Sequence, residues 1–277
     1  MPVIDAHTHV FPPDVIARRE TIAKIDARFA LLYANPRARM VDATGINEYL
    51  ETQGIEQAVV TSFPFTDASL VRACNDYVLE LARTDTRVIP FVTVDMEDET
   101  SARDEAERCV RFGARGIGEI AFYDTGYGKR EREKLLVVGA YAAQQGIPVM
   151  IHVNEQVGHA YQGKTIMDLQ EILSFIEAHP DLTVILSHLG GGLCFYEFMP
   201  EVRKIFSRVY YDLAAVPLLY SSEVYDFVAR YIPDRTLFGS DFPLLSYRKY
   251  AEDLGSLDDE ARDKLLFRNA RRMLGNG

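Results

Sequence analysis

Cysteine is scarce in this chain. Cys74, Cys109 and Cys194 are the only three in 277 residues, widely separated and in no CxxC pair. That excludes a disulfide framework and leaves reduced thiols, read most simply as small buried apolar residues. No apolar run approaches the ~20 residues of a membrane span, and the N-terminus has neither the basic start nor the apolar stretch of a signal peptide. A cytoplasmic location is the expectation. Positive charge is in deficit: 30 Lys and Arg against 41 Asp and Glu give a net charge of −11, which opposes nucleic-acid phosphates and anionic membranes. The expected partner is therefore a small molecule, with no nucleic acid and no membrane. A Pro- or Ser-rich linker, a low-complexity tract and a short repeat are all missing, so one domain over 1–277 is the simpler organisation. No GxGxxG follows an early strand, which argues against an open dinucleotide-binding sheet.

What the chain does contain is β-rich runs alternating with helical patterns. Eight runs read as strands: PVIDAHTHV, IEQAVVTSF, VIPFVTVDM, ARGIGEIAF, PVMIHVNE, TVILSHLG, VYYDLAA and TLFGSDFP. Between them ASLVRACNDYVLELART, SARDEAERCVRFG, REREKLLVVGAYAAQQG and DLQEILSFIEAHP space their apolar residues by three and four, and DDEARDKLLFRNARRMLG closes the chain as a helix. Strands that alternate with helices pair in parallel, and buried parallel strands read as nearly continuous apolar runs, as VVTSF, VMIHV and VILSH largely do. Eight such units predict an α/β fold, a (β/α)8 TIM barrel of ~250 residues. About forty residues separate the first two strands, including PPDVIARRETIAKIDARFALLYANP. A helical insertion that long, at the catalytic face, often covers a site.

In a barrel the chemistry lies at the C-terminal strand ends. Strand one ends in His7 and His9, which alternation places on one face. Strand four carries Glu119, strand five His152, strand six His188 and strand eight Asp241. Singly, each has a plain structural reading: Asp241 could cap a helix starting at Pro243, Glu119 could pair with Arg115, and either later histidine could be a hydrogen-bonded core residue. Six ligand-type residues at matching strand ends are hard to obtain by independent accident. Imidazole with carboxylate suits Zn²⁺ first, and Mn²⁺, Fe²⁺ or Ni²⁺, better than Ca²⁺. Substrate contacts are expected from NEQVGHAYQGKT after strand five, through Asn154, His159, Tyr161 and Lys164, the last able to meet an anionic group. FYDTGYG after strand four offers Tyr123, Asp124 and Tyr127. The glycines of HLGGGL allow close backbone approach beside His188 or a tight strand-to-helix turn.

IDAHTHVF, IHVNE, LSHLGG and LFGSDFP resemble the amidohydrolase-related family (amidohydrolase 2) of the metal-dependent amidohydrolase superfamily, over essentially the whole chain. The resemblance implies a distorted barrel and a metal-dependent hydrolase acting on a C–N, ester or lactone bond of a small anionic molecule through a metal-activated water. It also admits non-oxidative decarboxylases of small carboxylic acids as the alternative. It implies His7, His9 and His152 as ligands and Asp241 as a ligand that shuttles protons. His188 is then either a second-metal ligand or a catalytic histidine beside one ion. GIGEI resembles the fourth strand of TatD-type nucleases, where the glutamate binds metal; a bridging Glu119 would favour two ions, whereas decarboxylase-like relatives hold one. The acidic charge speaks against a nuclease. A metal-dependent binding or scaffold protein without activity is a further possibility, unsupported by any ligand substitution, and homo-oligomers are common in the resembling family.

Overall fold

The computed structural model describes residues 1–275. Eight parallel strands follow one another around the molecule: β1 Ile4–His9, β2 Gln57–Thr61, β3 Val88–Val92, β4 Gly116–Ile120, β5 Val149–Ile151, β6 Val184–Leu186, β7 Val209–Asp212 and β8 Thr236–Leu237. Each is hydrogen-bonded to the next. The chain after β8 returns to β1, where Ala6 N donates to Phe238 O at 2.8 Å and His9 N to Phe242 O at 2.7 Å. The result is the nearly closed (β/α)8 barrel that the eight apolar runs predict.

The expected helices form with small shifts at their ends. α1 Pro13–Ala17, α2 Arg19–Ile25 and α3 Ala27–Tyr33 make the insertion, followed by α4 Ala43–Gln53, α5 Ala68–Thr84, α6 Glu99–Arg111, α7 Lys129–Gln145 and α8 Leu169–Ala178. Asp42, Asp67, Asp98 and Asp168 each precede a helix and accept from N–H groups of its first turn, which satisfies donors that a helix start otherwise leaves unpaired. The closing helix is interrupted by a π-helical turn over Lys264–Arg268. Among the described residues no helix is long and apolar enough to cross a membrane. The three cysteines are free and buried.

Ile4, Ala6, Val59, Ile89, Phe91, Met150, Ile185 and Leu237 fill the barrel interior. Plain alternation would turn Asp5, His7 and His9 the same way. Instead Asp5 faces α4, where it accepts from Tyr49 Oη at 2.7 Å, while His7 faces the interior. A register shift between Asp5 and Thr8 accounts for the difference, since an extra residue in one strand re-aims the side chains beyond it. A second shift, between Ile117 and Ile120, contains Glu119. Both irregularities lie under residues of the site.

The insertion lies across the catalytic end and is pinned there. Asp26 caps α3 and also accepts from Thr66 N and Oγ1 at 2.7 and 2.9 Å. Arg28, only 2 % exposed, pairs with Glu97 at 2.7 Å and Asp124 at 2.8 Å, from the loops after β3 and β4. Phe11, Val15, Ile22 and Phe29 pack with Phe63 and Phe65 beneath these pairs. Loss of both carboxylates would leave the buried Arg28 charge uncompensated, whereas either one alone still balances it.

Candidate metal centre

Six side chains converge at the C-terminal strand ends in two groups of three: His7, His9 and Asp241, and Glu119, His152 and His188. In the first group the Nε2 atoms of His7 and His9 are 3.0 Å apart, and His9 Nε2 is 3.2 Å from Asp241 Oδ1. In the second, His152 Nδ1 lies 3.2 Å from both Glu119 Oε1 and His188 Nε2. Glu119 joins the groups, its other oxygen 3.7 Å from His7 Nε2. Neither plain alternative describes these carboxylates. Arg115 reaches Leu274 O at 2.8 Å rather than the Glu119 carboxylate, and Pro243 opens a turn, with the next helical segment at Tyr247–Lys249.

The donor chemistry fits a cation. His7 Nδ1 is 2.8 Å from Asp212 Oδ2, which fixes that nitrogen as the N–H and turns the Nε2 lone pair inward. His9 Nδ1 faces Ser62 O at 3.4 Å, leaving its Nε2 inward as well. Two inward lone pairs 3.0 Å apart repel unless a positive charge lies between them. Burial opposes charge on His7, but with no cation bound Glu119 and Asp212 outweigh it and raise its pKa well above the usual imidazole range, so a metal ion would take the place of the second proton on Nε2. Burial likewise opposes charge on Glu119, yet His7 and His152 keep it ionised well below the carboxylate range. Asp241 is partly buried, and although desolvation opposes its charge, the neighbouring imidazoles of His9, His7 and His188 bring its pKa to about 2 while no metal ion is bound. The protein therefore offers imidazole nitrogens and two carboxylates, the donor set of a divalent transition metal.

The backbone here departs from ordinary conformations. The four non-glycine residues with positive φ among the described residues, His188, Leu189, Ala215 and Asp241, all lie at this end of the barrel. Such conformations cost about 1–3 kcal/mol each and persist only where neighbours hold them. Asp212 does this for His188, accepting from its backbone N–H at 2.8 Å and from that of Ala214 at 3.1 Å, while His188 Nδ1 donates to Ala214 O at 2.9 Å. Close approach and turn prove to be one feature of the glycine run. The left-handed path continues through Gly190–Gly192, and a Cβ on Gly191 would lie 2.4 Å from Asn154 O.

A cavity of about 600 Å³ opens above these donors, with His9, Glu119, His152, His188 and Asp241 on its floor. Rings step along one wall: Tyr33 to Phe63 at 5.6 Å, Phe63 to Tyr123 at 5.7 Å and parallel within 3°, and Tyr123 to His152 at 5.0 Å. The insertion also contributes Leu32, Arg37 and Arg39. Of the loop residues expected to touch substrate, Tyr123, His159 and Tyr161 line this cavity. Asn154 and Lys164 do not. Asn154 is fully buried and clamps the loop base, accepting from Thr165 N at 2.9 Å and donating to Thr165 O at 2.8 Å. Asp124 serves the Arg28 pair, and Tyr127 is buried in the core.

Lys164 points its ammonium into its own loop, donating to Val157 O at 2.6 Å and His159 O at 3.1 Å. These bonds tie the ammonium to the backbone of its own loop, and their expected effect is to hold that loop, His159 included, in place. Lys164→Met is expected to speed proteolytic nicking within 155–164 by about fivefold to tenfold, the cost of one charged hydrogen-bond set. Limited proteolysis with mass analysis checks this, and an unchanged nicking rate would remove the role.

Asp212 was missed by the sequence reading. It stands at the end of β7, so the rule of inspecting every strand end would have found it.

Solved structures with this shape are plentiful. The chain aligns with 5-carboxyvanillate decarboxylase from Sphingomonas paucimobilis at 15 % identity and a TM-score of 0.79, covering 99 % of each chain. It aligns with 2,6-dihydroxybenzoate decarboxylase from Rhizobium at 16 % and 0.70, again over 99 % of each. The Novosphingobium aromaticivorans 5-carboxyvanillate decarboxylase complexed with manganese and 4-hydroxy-3-methoxy-5-nitrobenzoic acid aligns at 16 % and 0.79, over 99 % of this chain and 96 % of that one. No curated protein matches in sequence. At such identities the likeness establishes the fold. The family comes from a sequence model described as amidohydrolase, which matches residues 4–275. With that match over nearly its whole length, the chain belongs to the amidohydrolase family.

Proposed function

We propose that this protein is a divalent-metal-dependent, non-oxidative decarboxylase of a small ring-bearing carboxylic acid. The observation that carries the reading is the cavity, which sets a flat aromatic wall directly above a cluster of cation donors. A planar acid fits a slot walled by Phe63 and Tyr123 better than a flexible amide or ester chain does. The decarboxylases of similar fold, one of them with manganese and a nitrobenzoic acid bound, support the same choice of substrate and favour Mn²⁺ over the Zn²⁺ expected from sequence.

His7, His9 and Asp241 would hold the ion, with Glu119 beside them as the balancing anion. When bound, the ion supplies Lewis-acid stabilisation of negative charge on the substrate oxygens. Decarboxylation replaces a C–CO₂⁻ bond by a C–H bond: a proton reaches the ring carbon, the bonding pair stays with the ring and carbon dioxide leaves. Asp241, ionised at rest, accepts a proton from an acidic hydroxyl entering the site and returns it to that carbon. His188, oriented through Ala214 O, presents its Nε2 to the same space. The aromatic wall keeps bulk water from competing.

Hydrolysis of a C–N, ester or lactone bond is the second reading, favoured by the position of Glu119 between two groups of donors that could each hold an ion. The two are separated by incubating the Mn²⁺-loaded protein with hydroxybenzoates and with an ester, lactone and amide panel. The expected outcome is one carbon dioxide released per acid consumed. Turnover of the ester, lactone or amide substrates without gas release would give the site to hydrolysis.

A further inference from the structure

Resting on that reading, we propose that Tyr33, delivered by the insertion after β1, is a substrate-binding residue whose hydroxyl donates a hydrogen bond to a ring-substituent oxygen of the bound acid. Tyr33 ends α3, and its ring is fixed on three sides: stacked on Phe29 at 5.1 Å, and edge-on to Phe11 at 5.0 Å and to Phe63 at 5.6 Å. Packing alone needs no hydroxyl here, and the same cluster uses phenylalanine at positions 11, 29, 63 and 65. The hydroxyl has no hydrogen-bond partner among the described residues, although the residue lines the cavity together with Glu119 and Asp241. The residue is half-buried and lines the cavity, so a hydroxyl without a protein acceptor takes one from whatever enters.

The electrostatics set its role as donor. Burial, and then the carboxylates of Asp241 and Glu119, push the Tyr33 phenol up, so it stays protonated. Tyr123 lies parallel to Phe63 on the same wall, and its hydroxyl is also without a partner among the described residues. Two phenol hydroxyls therefore face a space that also holds the carboxylates and imidazoles of the donor cluster and, from the insertion, Arg37 and Arg39. They accommodate a hydroxyl, phenolate or ether oxygen on the ring, while the acid group of the same molecule goes to the cation donors.

The test uses calorimetric binding of benzoate and of 2-, 3- and 4-hydroxybenzoate to the Mn²⁺-loaded wild type and to Tyr33→Phe, a change that keeps the ring and its packing. The hydroxybenzoate that the wild type binds best is expected to bind Tyr33→Phe about tenfold more weakly, with benzoate unchanged within about twofold. Equal weakening of both ligands would mean that Tyr33 acts through packing, and no weakening of either would mean that the hydroxyl is idle. Both results overturn the inference and leave the ring-acid reading in place. Failure of all four acids to bind the wild type would overturn that reading and this inference with it. An unchanged thermal midpoint of Tyr33→Phe shows that the comparison is between folded proteins.

Discussion

Asp241→Asn lowers turnover by about 10²–10⁴-fold, the range for removing a group that moves a proton in the transition state, and leaves the fold and most of the bound metal in place. Three observations separate these effects. Asp241 has a φ of +61°, a conformation that asparagine tolerates better than almost any residue except glycine, so the substitution adds no backbone strain. The amide keeps an oxygen where Oδ1 stands 3.2 Å from His9 Nε2, so a donor to the cation survives. What disappears is a carboxylate that burial would otherwise neutralise but that His9, His7 and His188 keep ionised down to about 2. Steady-state rates with metal content measured on the same sample check the expectation. A metal-loaded Asp241→Asn protein of normal turnover would take the proton-moving role away from this residue.

The barrel could be read from the chain because buried parallel strands leave nearly continuous apolar runs, as in VVTSF for β2 and VILSH for β6. The donors could be read because a barrel's chemistry is confined to strand ends, which turns a scatter of histidines into positions on a ring. Other features depend on distances that sequence does not carry. Alternation groups Asp5 with His7, and only the shift in register between Asp5 and Thr8 sends one toward Tyr49 and the other into the site. Lys164 looks like an anion-binding residue by type and loop. Its ammonium instead meets carbonyls five and seven residues upstream, because the Gly-punctuated loop folds back on itself. Tyr33 and Phe63 are thirty residues apart in the chain and meet only when the insertion docks across the strand ends, so no local pattern marks them as one wall. Asp212 differs from these, since it occupies a strand end like the other site carboxylates.

Glu119 is the residue at which a one-ion and a two-ion site can be told apart. One oxygen lies toward His7 and the other toward His152 and His188, the placement of a bridging ligand. The same placement equally serves one ion at His7, His9 and Asp241, with Glu119 supplying the buried negative charge that keeps His7 and His152 favourable neighbours. The decarboxylase reading commits to the second arrangement. Titration of the metal-free protein with Mn²⁺ is then expected to saturate at about one equivalent per chain, and Glu119→Gln to weaken that binding by about 10–100-fold without changing the stoichiometry, the usual cost of losing a partner that orients or balances the ligands. Glutamine is the informative change: it fills the same buried volume and removes only the charge, whereas alanine would also open a hole beneath His152. Two equivalents in the wild type, one of them lost in Glu119→Gln, would make the carboxylate a true bridge. The two groups of donors would then hold two ions, which would supply water activation, and hydrolysis would be the better-supported activity.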